Sequence, residues 1–116
     1  MSSNVIVFAW NRSLPGREQL SAQHFQDFTQ YLQSRKAAGA IESFDTVILE
    51  PNGTSFHGFF LIRAEPTKLA ALTGTPEWVQ HQVRGVLHLD GSAVLRGVTG
   101  AAVAERMGMW VQAIPK

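Results

Sequence analysis

Hydrophobic positions along the chain alternate between strand-like runs and helical stripes, and that succession predicts the element order. Residues Asn4 to Arg12, NVIVFAWNR, are β-branched and aromatic without a breaker, which predicts a strand. Val5, Val7 and Ala9 fall on one face and Ile6, Phe8 and Trp10 on the other, so both faces are apolar. Pro15-Gly16 marks a loop. A helix is predicted next, with Ser21 as its N-cap and with Leu20 and Phe25 as a hydrophobic staple. Phe25, Phe28, Tyr31 and Leu32 form its apolar stripe, while Gln23, Gln30, Gln33 and Arg35 face water. Gly39 suits the left-handed residue past the helix end, with Ile41 close by for the closing contact.

Phe44 to Glu50 predicts a second strand, and Asn52-Gly53 predicts a tight hairpin into a third. The third run, Ser55 to Glu65 (SFHGFFLIRAE), is the most apolar of the chain. Phe56, Phe60 and Ile62 point one way; Phe59 and Leu61 point the other, together with His57 and Arg63. Pro66 ends that strand and opens a short helical turn, Thr67 to Leu72. Thr75 caps a second main helix, with Pro76 at its first position and Glu77 at the positive end of its dipole. Trp78, Val79, Gln82, Val83 and Val86 are its expected inward stripe, and Asp90-Gly91 its expected break. Ser92 to Val98 predicts a fourth strand, and Ala101 to Ala113 a final helix with Val103, Met107, Trp110 and Ile114 on its apolar face. The order βαββαβ plus a C-terminal helix predicts an α+β, ferredoxin-like domain over residues 1–116: two helices on one face of a four-stranded antiparallel sheet.

Two features of composition change this picture. Only 16% of residues are charged while 45% are hydrophobic, and the first and third strands do not alternate as a sheet with one wet face should. Each large apolar side chain left in water forgoes about 1.5–3 kcal/mol. The second sheet face therefore requires a cover, either the C-terminal helix or the sheet of a second copy, and a symmetric homodimer through the sheet face is the expectation. A net charge of +1 gives no electrostatic case for nucleic acid or an anionic membrane surface. Absence of Cys removes disulfides and thiolate chemistry, and the first residues have neither the basic start nor the long apolar run of a signal peptide, so a cytoplasmic protein is expected.

The element order, the first strand ending in Trp10-Asn11-Arg12, the hairpin into HGFFLIR and the TPEW opening of the second main helix resemble the dimeric α+β barrel superfamily. That superfamily includes antibiotic-biosynthesis monooxygenase-like, heme-degrading, EthD-like and YCII-like groups. The resemblance covers the chain to about Val98 and implies two sheets packed face to face, with a pocket in each subunit between sheet and helices. In the heme-degrading group an Asn, a Trp and a His line that pocket. Asn11 matches the first, but Leu72 stands at the Trp place and His81 is one position out of register. No heme or other cofactor is therefore expected.

Candidate chemistry is sparse. His57 and Arg63 share one side of the third strand and can serve as a general acid or base and as a carboxylate or enolate holder. Glu77 and His81 are four apart on one helix, with His88 a heptad further on. The four His lack metal-site spacing, and no metal is expected. Asn11, His57 and His81 are thus the catalytic candidates, and Trp10, Trp78 and Arg63 the substrate-binding candidates. Two functions remain open: a cofactor-independent monooxygenase or isomerase acting on a small hydrophobic or aromatic molecule, or a non-catalytic small-molecule-binding or structural homodimer. A concave cavity reached by at least two of the polar candidates separates them.

Overall fold

The computed structural model describes residues 2–116. Strands β1 (Val5–Ser13), β2 (Ser43–Ile48), β3 (Gly58–Arg63) and β4 (Leu89–Gly97) form one antiparallel sheet in the order β2-β3-β1-β4. Helices α1 (Glu18–Ala37), α2 (Pro66–Thr73) and α3 (Pro76–His88) occupy the connections after β1 and β3, and α4 (Ala102–Gln112) follows β4. This is the ferredoxin-like α+β fold expected from the order of elements.

The register puts Ile6 opposite Ile62 and Phe8 opposite Phe60. These four side chains are buried beneath the helices with Phe28, Leu32, Leu69, Leu72 and Trp78. Phe28 is the hub: its ring lies 5.1 Å from Phe8, 4.9 Å from Phe60 and 5.9 Å from Trp78. It thereby joins α1, both central strands and α3, and such aromatic contacts add to the area they bury.

Several local expectations are corrected. Helix α1 starts a turn earlier than Ser21, because the Glu18 carboxylate accepts the Gly16 N–H and favours the positive end of the helix. Ser21 therefore lies inside the helix with its hydroxyl free for other partners. Leu20 is 60% exposed and makes no staple. Strands β2 and β3 pair as predicted, but through residues 49–57 rather than a two-residue turn. The Asn52 side chain organises that loop, accepting the Thr54 N–H and donating to the Glu50 carbonyl. Asp90-Gly91 does not end the helix-to-strand segment. Strand β4 begins directly after α3 and passes through Gly91, whose φ of 89° bends the strand without stopping it.

Helix α3 turns inward a different face from the one its apolar period predicts. Its inward face carries Trp78, His81, Gly85 and His88, whereas Val79, Val83 and Val86 are exposed. The valines were expected inside because they match the helical period. The Trp78 anchor and the close approach at Gly85 rotate the helix so that imidazoles face α1. A Cβ at Gly85 would sit 3.3 Å from Phe8 Cζ.

The opposite sheet face stays open. Val7, Phe59 and Leu61 are half-exposed there and Leu95 is 58% exposed. Helix α4 does not cover it, and none of its residues is buried. Reciprocal hydrogen bonds between the Asn4 side chain and the Thr99 backbone, 2.9 and 3.1 Å, fix the point where the chain leaves β4. The radius of gyration is 15.9 Å, against about 13 Å for a compact chain of this length, because α4 projects. Its Val103, Met107 and Trp110, and Ile114 just past its end, are all exposed.

Gly58 opens β3 against the Trp10 ring: a Cβ there would lie 2.4 Å from Trp10 Cζ2 and 2.8 Å from the Val47 carbonyl oxygen. Gly58→Ala is expected to destabilise by about 1–3 kcal/mol, read as a lower urea midpoint at unchanged slope.

Candidate functional site

One end of the α1–α3 interface is polar, and the sequence places the polarity there in two short patterns. His24, Phe28 and Leu32 share the buried stripe of α1, with Ser21 one turn earlier. His81 and His88 are seven apart on α3, so both face α1. Gly85 between them lets α3 lie close to Phe8, which brings His88 down to the end of β1.

The side chains bond in series. Ser13 on β1 meets the Ser21 hydroxyl. Ser21 Oγ lies 2.7 Å from His88 Nδ1, His88 Nε2 lies 2.7 Å from His24 Nδ1, and His24 Nε2 lies 3.0 Å from His81 Nδ1. A neutral imidazole has one donor and one acceptor, so three in series with a hydroxyl can all be satisfied, in either direction. His24 and His88 are buried at 5% and 6% exposure, and His81 is half-buried. Arg84 and Asp27 close the row with an ion pair of 2.9 Å between α3 and α1. The rings point at one another rather than at a common centre, and among the described residues no group is arranged to hold a metal ion.

Burial keeps these rings neutral. It pushes the His24 pKa down from 6.5 to about 3, with the Arg84 guanidinium and then the His88 and His81 rings adding to the effect. Burial and then Arg84 also lower His81 and His88. Asp27 opposes the shift at His24 and His81 and is itself held below the usual carboxylate range by hydrogen bonds from Gln23 and Arg84.

The row of groups ends on a cavity of about 300 Å³ between α1 and the sheet. Phe8, Trp10, Phe25, Phe28 and Phe60 give it aromatic walls, and Ile48 stands at its edge. Asn11, Arg12, Ser13, Ser21, His24 and His88 make its polar end. The walls are tightly built, with Trp10 lying 5.5 Å from Phe60 and 6.1 Å edge-on from Phe25. An apolar chamber with a few convergent polar groups is the usual form of a small-molecule site. A second depression, of about 480 Å³, lies at the other end of α1 between Tyr31, Arg35, Lys68 and Glu77, without any of the histidines.

The structure distributes the sequence candidates unevenly. Of the polar candidates only Asn11 lines the cavity, beside Trp10, and His81 reaches it through His24 and His88. Trp78 is 1% exposed in the core against Phe8 and Phe28. His57 precedes β3, outside the cavity lining, with its backbone N–H donated to the Trp10 carbonyl. Arg63 lies on the open sheet face, bonded to Asp45 at 2.7 Å. His81 turns to His24, four-residue spacing from Glu77 notwithstanding. Sequence reasoning assigned His24, Ser21 and Arg84 no part in chemistry. The signal for His24 was present: it occupies a stripe position on α1, where a titratable residue must find partners.

No protein-family model matches the sequence, and no curated protein matches it. Solved structures share the fold. A dabb family protein with a ferredoxin-like fold from Mesorhizobium loti superposes with a TM-score of 0.66 at 11% identity, over 87% of this chain and 100% of that one. A dimeric protein of unknown function from Bacteroides fragilis, also ferredoxin-like, gives 0.56 at 9% identity over 79% and 92% of the two chains. A Pseudomonas aeruginosa protein gives 0.54 at 16% identity over 87% and 98%. At these identities the likeness is one of fold.

Neutral burial of His24 ties stability to pH. The folded pKa is lowered, so only the unfolded chain gains a proton as pH falls through 6.5. Stability is complete above about pH 7 and declines on acidification, by about 2 kcal/mol at pH 5 from this group alone. Thermal midpoints should fall accordingly between pH 7 and 5, less steeply in His24→Phe. NMR of the wild-type imidazole should show no protonation of His24 above pH 4.5.

Proposed function

We propose that the protein acts as a homodimer that takes up a small apolar molecule, about the size of two or three aromatic rings, in the cavity between α1 and the sheet, and that it works on it as an enzyme. The observation that carries this reading is the contact between an aromatic chamber and the Ser21–His88–His24–His81 series. Holding an apolar molecule needs no titratable group. Two buried imidazoles and a half-buried third cost folding stability, and such groups concentrate where protons are moved. A cofactor-independent oxygenation and an isomerisation both begin by taking a proton from the substrate, so both fit the site.

The dimer reading rests on the open sheet face. Val7, Phe59, Leu61 and Leu95 present an apolar surface that no helix covers, with only Phe56 of the loop after β2 stacked on Phe59, and a second copy related by a two-fold axis covers it with the same residues. The Bacteroides fragilis protein of the same fold is described as dimeric, which supports this. In such a pair Arg63 and Asp45 lie at the seam. The described residues include no helix long and apolar enough to cross a membrane.

Light scattering should give about twice the 12.8 kDa chain mass at micromolar concentration, and Leu61→Asp should shift it to the monomer; a wild-type monomer would refute the dimer. For the cavity, the apolar fluorophore phenylnaphthylamine should bind once per chain with a blue-shifted emission. Ala22→Trp, which fills the cavity from α1, should weaken binding at least about tenfold. Equal binding by both proteins would move the ligand elsewhere.

A further inference from the structure

We propose that the hydrogen-bonded series is a proton relay with Ser21 and His88 at its substrate end, and that the cavity carries out a proton-shift isomerisation of a small apolar carbonyl compound. This deepens the reading of the cavity as a small-molecule site and rests on it.

Geometry supports each transfer. Ser21 and His88 line the cavity, and every gap from Ser21 to His81 is 3.0 Å or less. The His24 and His81 rings are nearly coplanar, 4° apart, which aligns their nitrogen lone pair and N–H in one plane. The far end is His81, the only half-buried ring of the three. Charge moved along the series therefore arrives on the ring with the most access to water, where Asp27 favours it against burial and the Arg84 guanidinium, and not on His24.

The step balances within the chain and its substrate. A C–H bond next to the substrate carbonyl breaks, and its electron pair remains on the substrate as an enolate. The proton passes to Ser21 Oγ while the Ser21 hydroxyl proton moves to His88 Nδ1. The His88 Nε2 proton moves to His24 Nδ1, and the His24 Nε2 proton moves to His81 Nδ1, leaving an imidazolium at His81. Asn11 and Arg12 line the same end of the cavity, and the Asn11 amide, with the Arg12 guanidinium nitrogens left over from its bond to Asp90, offers N–H donors for the enolate oxygen. In a β,γ-unsaturated carbonyl compound the enolate extends to the γ-carbon, and running the sequence backward onto that carbon yields the α,β-unsaturated isomer and restores every tautomer. No oxidant, reductant or second substrate enters. Return of the proton is also what resets the row, since a one-way transfer leaves all three rings in the reversed tautomer.

The test uses β-tetralone, an aromatic ketone with acidic C–H bonds, in deuterium oxide. β-Tetralone is expected to displace phenylnaphthylamine and to gain deuterium next to its carbonyl far faster than in buffer. Ser21→Ala and His88→Gln should slow that exchange at least about 100-fold while still binding the fluorophore. His81→Ala, changed at the half-exposed end where folding is least at risk, should slow exchange in phosphate and regain it on adding imidazole. A structural role for His81 would show no such rescue. Exchange at the buffer rate by displacing β-tetralone, or unchanged exchange in Ser21→Ala and His88→Gln, would overturn the relay. Failure of β-tetralone to displace a bound fluorophore would overturn the substrate class. A wild-type protein that does not bind the fluorophore at all would refute the cavity reading itself, and the relay with it.

Discussion

The contact of Phe28 with Phe8, Phe60 and Trp78 is what the remainder of the structure depends on. It seats α1 over the two central strands and α3 beside α1, and it consumes the largest aromatic surfaces of the chain. Once Trp78 is anchored in it, the rotation of α3 is set. The residues one and three turns further along that face, His81 and His88, must then lie against α1 whatever their own preference. The buried imidazoles are a consequence of where the aromatic hub sits.

Burying such groups is tolerable only because they satisfy one another. An isolated imidazolium at His24 would be strongly disfavoured in that surrounding, and the ring stays neutral. Neutral rings then solve their hydrogen-bonding problem by joining end to end, closed by Ser21 on one side and steadied by the Arg84–Asp27 pair on the other. The same neutrality makes a row of imidazoles able to pass a proton, since each ring can accept at one nitrogen while donating from the other. A stability requirement and a chemical capacity thus share one arrangement.

The helices cover only one side of the sheet. On the other side lie an apolar face and an ion pair between Arg63 and Asp45, with α4 held away from both by the Asn4–Thr99 clasp. The apolar side chains of α4 and the valines that α3 turns outward add two further uncovered apolar strips. A single chain of this composition cannot hide all three, which is why association and the cavity are parts of one reading.

The sequence by itself determined the order of elements, the antiparallel pairing of β2 with β3, the Thr75 cap and the apolar character of both sheet faces. All of these follow from local periodicity, capping chemistry and proline or glycine placement. It also placed Trp10 and Asn11 at the end of β1, where the cavity forms. It misjudged the start of α1 and the turn after β2, because Glu18 and Asn52 make side-chain bonds that compete with the favoured cap and turn residues. Only the tertiary structure decided which face of α3 turns inward. Periodicity favoured Val79, Val83 and Val86, and the packing of Trp78 and Gly85 against Phe8 and Phe28 overrode it. The meeting of Ser21, His24, His81 and His88 depends on that rotation and on separations of up to 67 residues. No local pattern encodes a distance of that kind, so the candidate site appears only when the helices are packed.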